Sequence, residues 1–76
     1  MLELYISETC PYCRKVMNFL EENNIKYSKM DVAVPQNLNT LINIGGMHQV
    51  PFMIDDNIKM YESDDIINYI KEHYVL

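Results

Sequence analysis

The sequence Cys10-Pro11-Tyr12-Cys13 lies between a strand-like run at residues 2–6 and an apolar pattern with helical spacing. It contains the only two cysteines of the 76-residue chain. A thiol at the amino end of a helix faces unpaired N–H groups and the positive end of the helix dipole, and both favour the reactive thiolate. The motif and its position therefore predict a redox-active dithiol.

The rest of the chain alternates strand and helix patterns around this motif. Pro11 suits the first position of a helix that ends at Asn23-Asn24. A second helix begins at Pro35 and ends at Gly45-Gly46, and Ser63 is predicted to cap a third. The predicted strands are residues 2–6, 26–32, 50–54 and 58–61, with a turn at 55–57. The order βαβ, α, ββα predicts an α/β fold, a four-stranded mixed sheet flanked by three helices.

Apolar residues at helical spacing predict which helix faces are buried. These residues are Cys13, Val16, Met17, Phe19 and Leu20 in the first helix, Leu38, Leu41 and Ile42 in the second, and Ile66, Ile67, Ile70 and Tyr74 in the third. Apolar residues make up 49% of the chain, which supports one packed domain over residues 1–76.

Composition restricts the partners and the compartment. Six Lys and Arg residues against eleven Asp and Glu give a formal net charge of −5, which disfavours nucleic acid and anionic membranes. No apolar run approaches the ~18 residues of a transmembrane helix, and the first residues lack the pattern of a signal peptide. We therefore expect a cytoplasmic monomer in which the dithiol cycles between its reduced and oxidised forms.

The order of motifs resembles a glutaredoxin over nearly the whole chain. The resemblance rests on Cys10-Pro11-Tyr12-Cys13 between a strand and a helix, on Val50-Pro51 before a hairpin, and on Ser63-Asp64 before the last helix. The stretch from Val50 to Ile67 is also similar to the N-terminal domain of glutathione transferases. The resemblance implies a thioredoxin-like fold and glutathione as co-substrate. It also implies that the substrates are protein disulfides or protein–glutathione mixed disulfides.

The resemblance also assigns roles to individual residues. Cys10 would be the exposed attacking thiol and Cys13 the more buried resolving thiol. Tyr12 would flank glutathione, and a cis Val50-Pro51 bond would leave the Val50 backbone free to pair with the bound peptide. The N–H groups at Ser63-Asp64 would bind the γ-glutamyl carboxylate, and the Asp64 side chain would bind the α-amine. Without the resemblance, Ser63 and Asp64 are a helix cap and an acid that complements the helix dipole.

Two positions differ from the common glutaredoxin pattern. Ser7 stands where many members have a lysine that meets the glycyl carboxylate, and Tyr61-Glu62 replace a Gly-Gly pair. Arg14 and Lys15 are candidates for a replacement cation. The change at Ser7 leaves open a second hypothesis, in which thioredoxin reductase supplies the electrons instead of glutathione.

Three further hypotheses have less support. Two copies of a glutaredoxin can bridge a [2Fe–2S] cluster, each with one cysteine and glutathione. A Cys₂His₂ zinc site could use His48 and His73, but these are 25 residues apart rather than three to five, so no metal is expected. A glutathione transferase needs a helical second domain to hold its electrophile, and we expect none here.

Overall fold

Seven secondary-structure elements follow one another along residues 1–75, the part of the chain that the computed structural model describes. They are β1 (Leu2–Ile6), α1 (Pro11–Glu22), β2 (Ser28–Asp31), α2 (Pro35–Gly45), β3 (Phe52–Asp55), β4 (Ile58–Tyr61) and α3 (Ser63–Tyr74). The strands form one sheet in the order β2-β1-β3-β4. The β1–β2 pair is parallel and the other two pairs are antiparallel, which confirms the predicted mixed sheet.

The helix ends follow from a few local contacts. Asn23 ends α1, and its Nδ2 donates to the carbonyl of Phe19 at 2.8 Å. Gly46 ends α2 with a φ of 83°, a left-handed conformation that glycine adopts without steric cost, and its N–H donates to the carbonyl of Ile42 at 2.9 Å. The helices have 12, 11 and 12 residues, and none within residues 1–75 is long and apolar enough to cross a membrane.

Side chains that alternate along β1 divide the core into two layers. On one side, Leu2, Leu4 and Ile6 pack with α1 and α3. The helix residues of this layer are Cys13, Val16, Met17, Leu20, Ile66, Ile67 and Ile70. On the other side, Tyr5 packs with Phe52, Ile54 and Leu41 of α2. The sheet is therefore covered on both faces, and α1 and α3 lie side by side where their amino ends can form one site.

The strands differ slightly from their predicted limits. β2 is shorter than residues 26–32, because its parallel register starts where Ser28 meets Glu3. β3 begins at Phe52 rather than residue 50, since Pro51 has no N–H to donate to a ladder. Asp55, predicted in the turn, is the last residue of β3 and pairs with Leu2 of β1. This shift places the Asp55 side chain within the fold rather than in a solvated turn.

Three helix predictions were wrong. Ile42 is 41% exposed, because α2 packs on the sheet along a narrow stripe whose buried residue is Leu41. Tyr74 is 40% exposed, because it lies at the end of α3, and its hydroxyl group donates to Asp55 at 2.7 Å. Ser63 is not the N-cap of α3 but its first residue, and it is buried, whereas Glu62 precedes the helix with a φ of 72°.

Candidate functional site

The two sulfur atoms occupy different environments at the amino end of α1. Cys10 is the N-cap with an extended backbone, and its half-buried Sγ accepts the N–H of Cys13 at 3.3 Å. The helix begins there because Pro11 suits the first helical position, where a missing N–H costs nothing. Cys13 lies one turn further along, fully buried in the core layer of α1 and α3. The accessible sulfur is therefore that of Cys10, and a buried sulfur stands next to it.

Burial, a hydrogen bond with Cys10 and the charge of that residue together raise the pKa of the Cys13 thiol to about 12. A thiol with this pKa stays protonated near neutral pH. Because the thiolate is the nucleophile, we expect Cys13 to react slowly with reagents in solution at neutral pH. The geometry thus separates one sulfur that can meet a substrate from one that can only meet its neighbour.

The loop before the dithiol is held by its own polar groups. The N–H of Cys10 donates to the carbonyl of Ser7 at 3.1 Å, and the hydroxyl groups of Ser7 and Thr9 lie 3.2 Å apart. Glu8 pairs with Lys29 of β2 at 3.6 Å. The position where glutaredoxins commonly have a lysine therefore carries a hydroxyl group that bonds within the loop.

A cleft of about 610 Å³ lies beside the amino ends of α1 and α3. It is lined by Tyr12, Gln49, Val50, Pro51, Glu62, Ser63, Asp64 and Asp65. All five residues predicted to contact glutathione are in this set: Tyr12, Val50, Pro51, Ser63 and Asp64. The volume lies within the ~300–1,000 Å³ typical of small-molecule sites. Residues that are distant in sequence thus share one cavity at the tip of α1, the helix that Cys10 caps, although neither cysteine is among the residues that line it.

Three segments form the walls of the cleft. The first is the tip of α1, where Tyr12 is 64% exposed. The second is the segment that enters β3, where the Val50-Pro51 peptide bond is cis, as predicted. The third is the tip of α3, which the Gln49 side chain joins to the second segment through a contact of 3.4 Å with Glu62. The walls therefore come from three elements that the sheet brings together.

Charge is distributed unevenly around the cleft. The side chains of Glu62, Asp64 and Asp65 are carboxylates, and they surround the unpaired N–H groups at the start of α3. The Lys15 ammonium group of α1 lies 2.6 Å from Oδ1 of Asp64 at the rim. The ion pair joins the two helices across the surface, with side chains 55% and 79% exposed. The rim thus presents a positive and a negative group side by side.

Several residues at the cleft were not predicted from the sequence. Gln49, Glu62 and Asp65 line it, although Glu62 and Asp65 belong to the transferase-like stretch and were assigned no contact with glutathione. Gln49 had no signal except its place before Val50. The pairing of Lys15 with Asp64 could not be read from the sequence, because the two residues are 49 positions apart.

The histidines of the zinc hypothesis lie in other surroundings. His73 is in the last turn of α3, where its ring stacks on Tyr69 at 4.1 Å and its Nδ1 lies 2.9 Å from the Tyr69 carbonyl. His48 is exposed in the loop before Val50. Within residues 1–75, no group of three or more His, Cys, Asp or Glu side chains is arranged to hold a metal ion.

Comparison with known families matches residues 4–76 to the family described as glutathione S-transferase, N-terminal domain. Among curated relatives, Glutaredoxin 1 of Rickettsia prowazekii is 29% identical over 72 residues, which cover 91% of this chain and 76% of the relative. Glutaredoxin 2 of Escherichia coli K12 is 34% identical over 70 residues, again 91% of this chain. The match covers 32% of that relative, so the chain spans about a third of its length.

Solved structures show the same architecture. The thioredoxin-like protein BC3987 superposes with a TM-score of 0.82 at 25% identity, over 95% of this chain and 97% of its own. Human glutathione-S-transferase T1-1 in its apo form superposes with a TM-score of 0.85 at 25% identity, over 97% of this chain and 32% of its own. Because the family match extends over nearly all of the sequence, the chain belongs to the family of glutathione S-transferase N-terminal domains, with a thioredoxin-like fold.

Proposed function

We propose that the protein is a glutathione-dependent thiol–disulfide oxidoreductase that reduces protein disulfides or protein–glutathione mixed disulfides. The observation that carries the proposal is the placement of Cys10. Its sulfur caps α1, the helix whose first turn contributes Tyr12 to the cleft, while Cys13 is buried one turn away. The names of the glutaredoxin relatives support the same chemistry. A cytoplasmic monomer formed by one domain over residues 1–76, with glutathione as co-substrate and no resident metal, is part of this proposal.

The first step is an attack by the Cys10 thiolate on one sulfur of the substrate disulfide. A new S–S bond joins Cys10 to that sulfur, and the original S–S bond breaks. The other substrate sulfur leaves as a thiolate and takes a proton from solvent. The N–H of Cys13 and the amino end of α1 favour the negative sulfur on Cys10 before the attack.

Two routes complete the reaction. In the dithiol route Cys13 loses its proton, attacks Cys10, releases the second substrate thiol and forms a Cys10–Cys13 disulfide. Two glutathione molecules then reduce that disulfide and become glutathione disulfide. In the monothiol route one glutathione attacks the Cys10 adduct directly, and Cys13 takes no part. The pKa of about 12 at Cys13 supports a late role for this residue, because it stays protonated until Cys10 is in a mixed disulfide next to it.

The proposed ligand lies in the cleft. The Val50 backbone would pair with the cysteinyl unit of glutathione, and the Tyr12 ring would flank it. The first N–H groups of α3, at Ser63 and Asp64, would hold the γ-glutamyl carboxylate, since a helix amino end attracts anions. The shared cavity supports this assignment, because all of these residues line it.

The test compares two single variants. Cys10→Ser is expected to lose both disulfide reduction and deglutathionylation, because the only other cysteine, Cys13, is buried. Cys13→Ser is expected to lose reduction of protein disulfides by the dithiol route and to keep deglutathionylation. Both activities would be measured with glutathione, glutathione reductase and NADPH, on a glutathionylated protein and on a protein disulfide.

The same assay distinguishes the electron donor. The hydroxyl group of Ser7 at the position of the common lysine is the observation that favours thioredoxin reductase as an alternative. Turnover with that reductase and none with glutathione would overturn glutathione dependence but keep the dithiol chemistry. Full activity of Cys10→Ser would overturn the whole proposal.

A further inference from the structure

The ion pair at the rim of the cleft places a cation where the proposed ligand ends. Lys15 Nζ contacts only one oxygen, Oδ1, of Asp64 in their hydrogen bond of 2.6 Å. An ammonium group has three hydrogens to donate and a carboxylate has about four acceptor sites, so each partner retains bonding capacity. Both side chains are largely exposed, and Asp64 also lines the cleft. A ligand at the tip of α3 can therefore reach both charges.

The two charges match the chemistry of an amino-acid head group. A free α-amino acid end carries an ammonium and a carboxylate on one carbon atom. An ion pair on the protein can meet such a group in reverse order, with each protein charge beside its opposite. The unpaired N–H groups at the start of α3 lie on the same side and also favour the carboxylate.

Arg14, the other candidate cation, lies within electrostatic range of Tyr27. Burial and a hydrogen bond with Glu21 raise the pKa of Tyr27 to about 12, and the charge of Arg14 opposes that rise. The charge of Arg14 is therefore close enough to affect the Tyr27 hydroxyl group. Tyr27 does not belong to the residues that line the cleft. Of the two, Lys15 is the residue in contact with a wall of the cleft.

We propose that Lys15 binds the α-carboxylate of the zwitterionic head group of a thiol peptide, next to Asp64, to which the glutaredoxin resemblance already assigns the α-ammonium group. The inference rests on the proposed function and adds Lys15 as a specificity-determining residue. In this arrangement the cation lies at the γ-glutamyl end of the ligand, whereas the common lysine, which is Ser7 here, would lie at the glycyl end. Ligands that lack either charge of the head group bind more weakly.

The test is an NMR titration of the Cys10→Ser protein, which cannot form a mixed disulfide at Cys10. The probes are glutathione, its analogue without the α-carboxylate (4-aminobutyryl-cysteinylglycine) and its analogue without the α-amine (glutaryl-cysteinylglycine). Lys15→Gln is expected to lower the affinity for glutathione and for the glutaryl analogue by about two- to fivefold, the scale of one exposed ion pair. The 4-aminobutyryl analogue should bind no more weakly than before. Asp64→Asn should show the opposite selectivity between the two analogues.

Two controls separate recognition from structure. Lys29→Gln removes the same charge from another exposed ion pair, with Glu8, away from the cleft walls, and should change no affinity by more than about twofold. Lys15→Arg should restore most of the affinity for glutathione. The NMR spectrum of each variant also reports whether the fold is intact.

Each negative result has a distinct meaning. The inference is wrong if Lys15→Gln binds glutathione as well as its parent does, or better. It is also wrong if the substitution lowers the affinity for all three ligands equally, because Lys15 would then not be a recognition residue. If the parent protein binds no glutathione at millimolar concentration, the glutathione dependence itself fails, and this inference fails with it.

Discussion

The carboxylates near the two ends of α3 differ in burial and in hydrogen bonding. At the amino end, Asp64 is exposed at the cleft and its pairing with Lys15 lies at the surface. Near the carboxyl end, Asp55 of β3 is only 7% exposed, and its Oδ2 accepts the hydroxyl groups of Tyr69 and Tyr74, both at 2.7 Å. The fold uses the hydrogen-bonding capacity of Asp55 for its own tyrosines, whereas most of the Asp64 carboxylate stays exposed at the cleft.

The pKa values of Asp55, Tyr69 and Tyr74 reflect these hydrogen bonds. Burial alone would raise the pKa of Asp55, but the hydroxyl groups of Tyr74 and Tyr69, together with the N-terminal ammonium group 3.5 Å from Oδ1, outweigh it and lower the pKa below its usual 3.8. The same hydrogen bonds to Asp55 raise the pKa of Tyr69 and of Tyr74 to about 12. Asp55 is therefore a charged anchor between β3 and the last two turns of α3, whereas the charges at the cleft remain hydrated.

The largest effect is expected at the site end, in the reactivity of Cys13. In the Cys10→Ser variant, alkylation of Cys13 by iodoacetamide at pH 8 should be roughly a hundredfold slower in the folded protein than in urea, because burial keeps the thiol protonated. Mass spectrometry of quenched samples gives both rates. Equal rates in the two conditions would show that Cys13 is open to solvent, and the two sulfurs would no longer differ.

Asp55→Ala removes the hydrogen bonds that join β3 to the last two turns of α3. Both tyrosine hydroxyl groups would lose a charged acceptor, so the free energy of unfolding should fall by about 2–3 kcal/mol, the scale of hydrogen bonds to a charged group. Urea denaturation measures the loss. Asp55→Asn, which keeps an acceptor oxygen, should lose about half as much.

Activity of the same variants checks the comparison itself. Disulfide reduction per folded molecule should be unchanged in both Asp55 variants at a temperature where they remain folded. A selective loss of activity would mean that the anchor also supports the cleft.

The contribution of Asp55 to the free energy of unfolding should depend on pH. Because the folded pKa of Asp55 lies below 3.8, its contribution is complete above about pH 4 and is lost as the pH falls through the folded value. The tyrosine pKa values are raised from 10.0, so their contribution is complete below about pH 10 and is lost as the pH approaches 12. The stability difference between the parent and Asp55→Asn should be constant from pH 5 to 8 and shrink below pH 4. A difference that grows on acidification would contradict the lowered pKa.

The smallest effect is expected at Gly45, next to the loop that leads to the cleft. A Cβ at this position would overlap the Tyr61 hydroxyl group, which donates to the carbonyl of Met47 at 3.0 Å, and would lie 3.3 Å from the Phe52 ring. Gly45→Ala should cost about 1 kcal/mol in urea denaturation. Adding Tyr61→Phe removes the overlapping oxygen but leaves the ring carbon 3.1 Å from the Cβ, so Gly45→Ala should cost less in the Tyr61→Phe protein than in the parent. Strictly additive losses would exclude this contact as the cause.

Most of the fold could be predicted because its signals are local. Pro11, Pro35 and Gly46 mark helix ends through their own backbone preferences, and α1 and α2 begin and end where these residues predict. The strands were placed by apolar runs, with errors of one or two residues at the ends. Burial at the periphery was less predictable, since the exposure of Ile42 depends on how α2 lies on the sheet and not on its own apolar pattern.

The candidate site was only partly accessible from the sequence. The dithiol and the five proposed ligand contacts were identified from motifs, but their convergence on one cleft needed the fold. The start of α3 was misplaced because Glu62 adopts a positive φ of 72°, which no residue preference predicts for glutamate. The contacts Lys15–Asp64 and Asp55–Tyr74 join residues 49 and 19 positions apart, so they are properties of tertiary packing.

The sulfur cap on α1 bears on the direction in which electrons flow. The N–H of Cys13 and the helix dipole stabilise a negative sulfur on Cys10, and a disulfide sulfur, being neutral, is a weaker acceptor. The helix therefore favours the reduced form over the oxidised one. Each 1.4 kcal/mol of that preference raises the two-electron reduction potential by about 30 mV. In the proposed reaction, the strength of this helix cap therefore helps to decide which disulfides the dithiol can reduce and which would oxidise it instead.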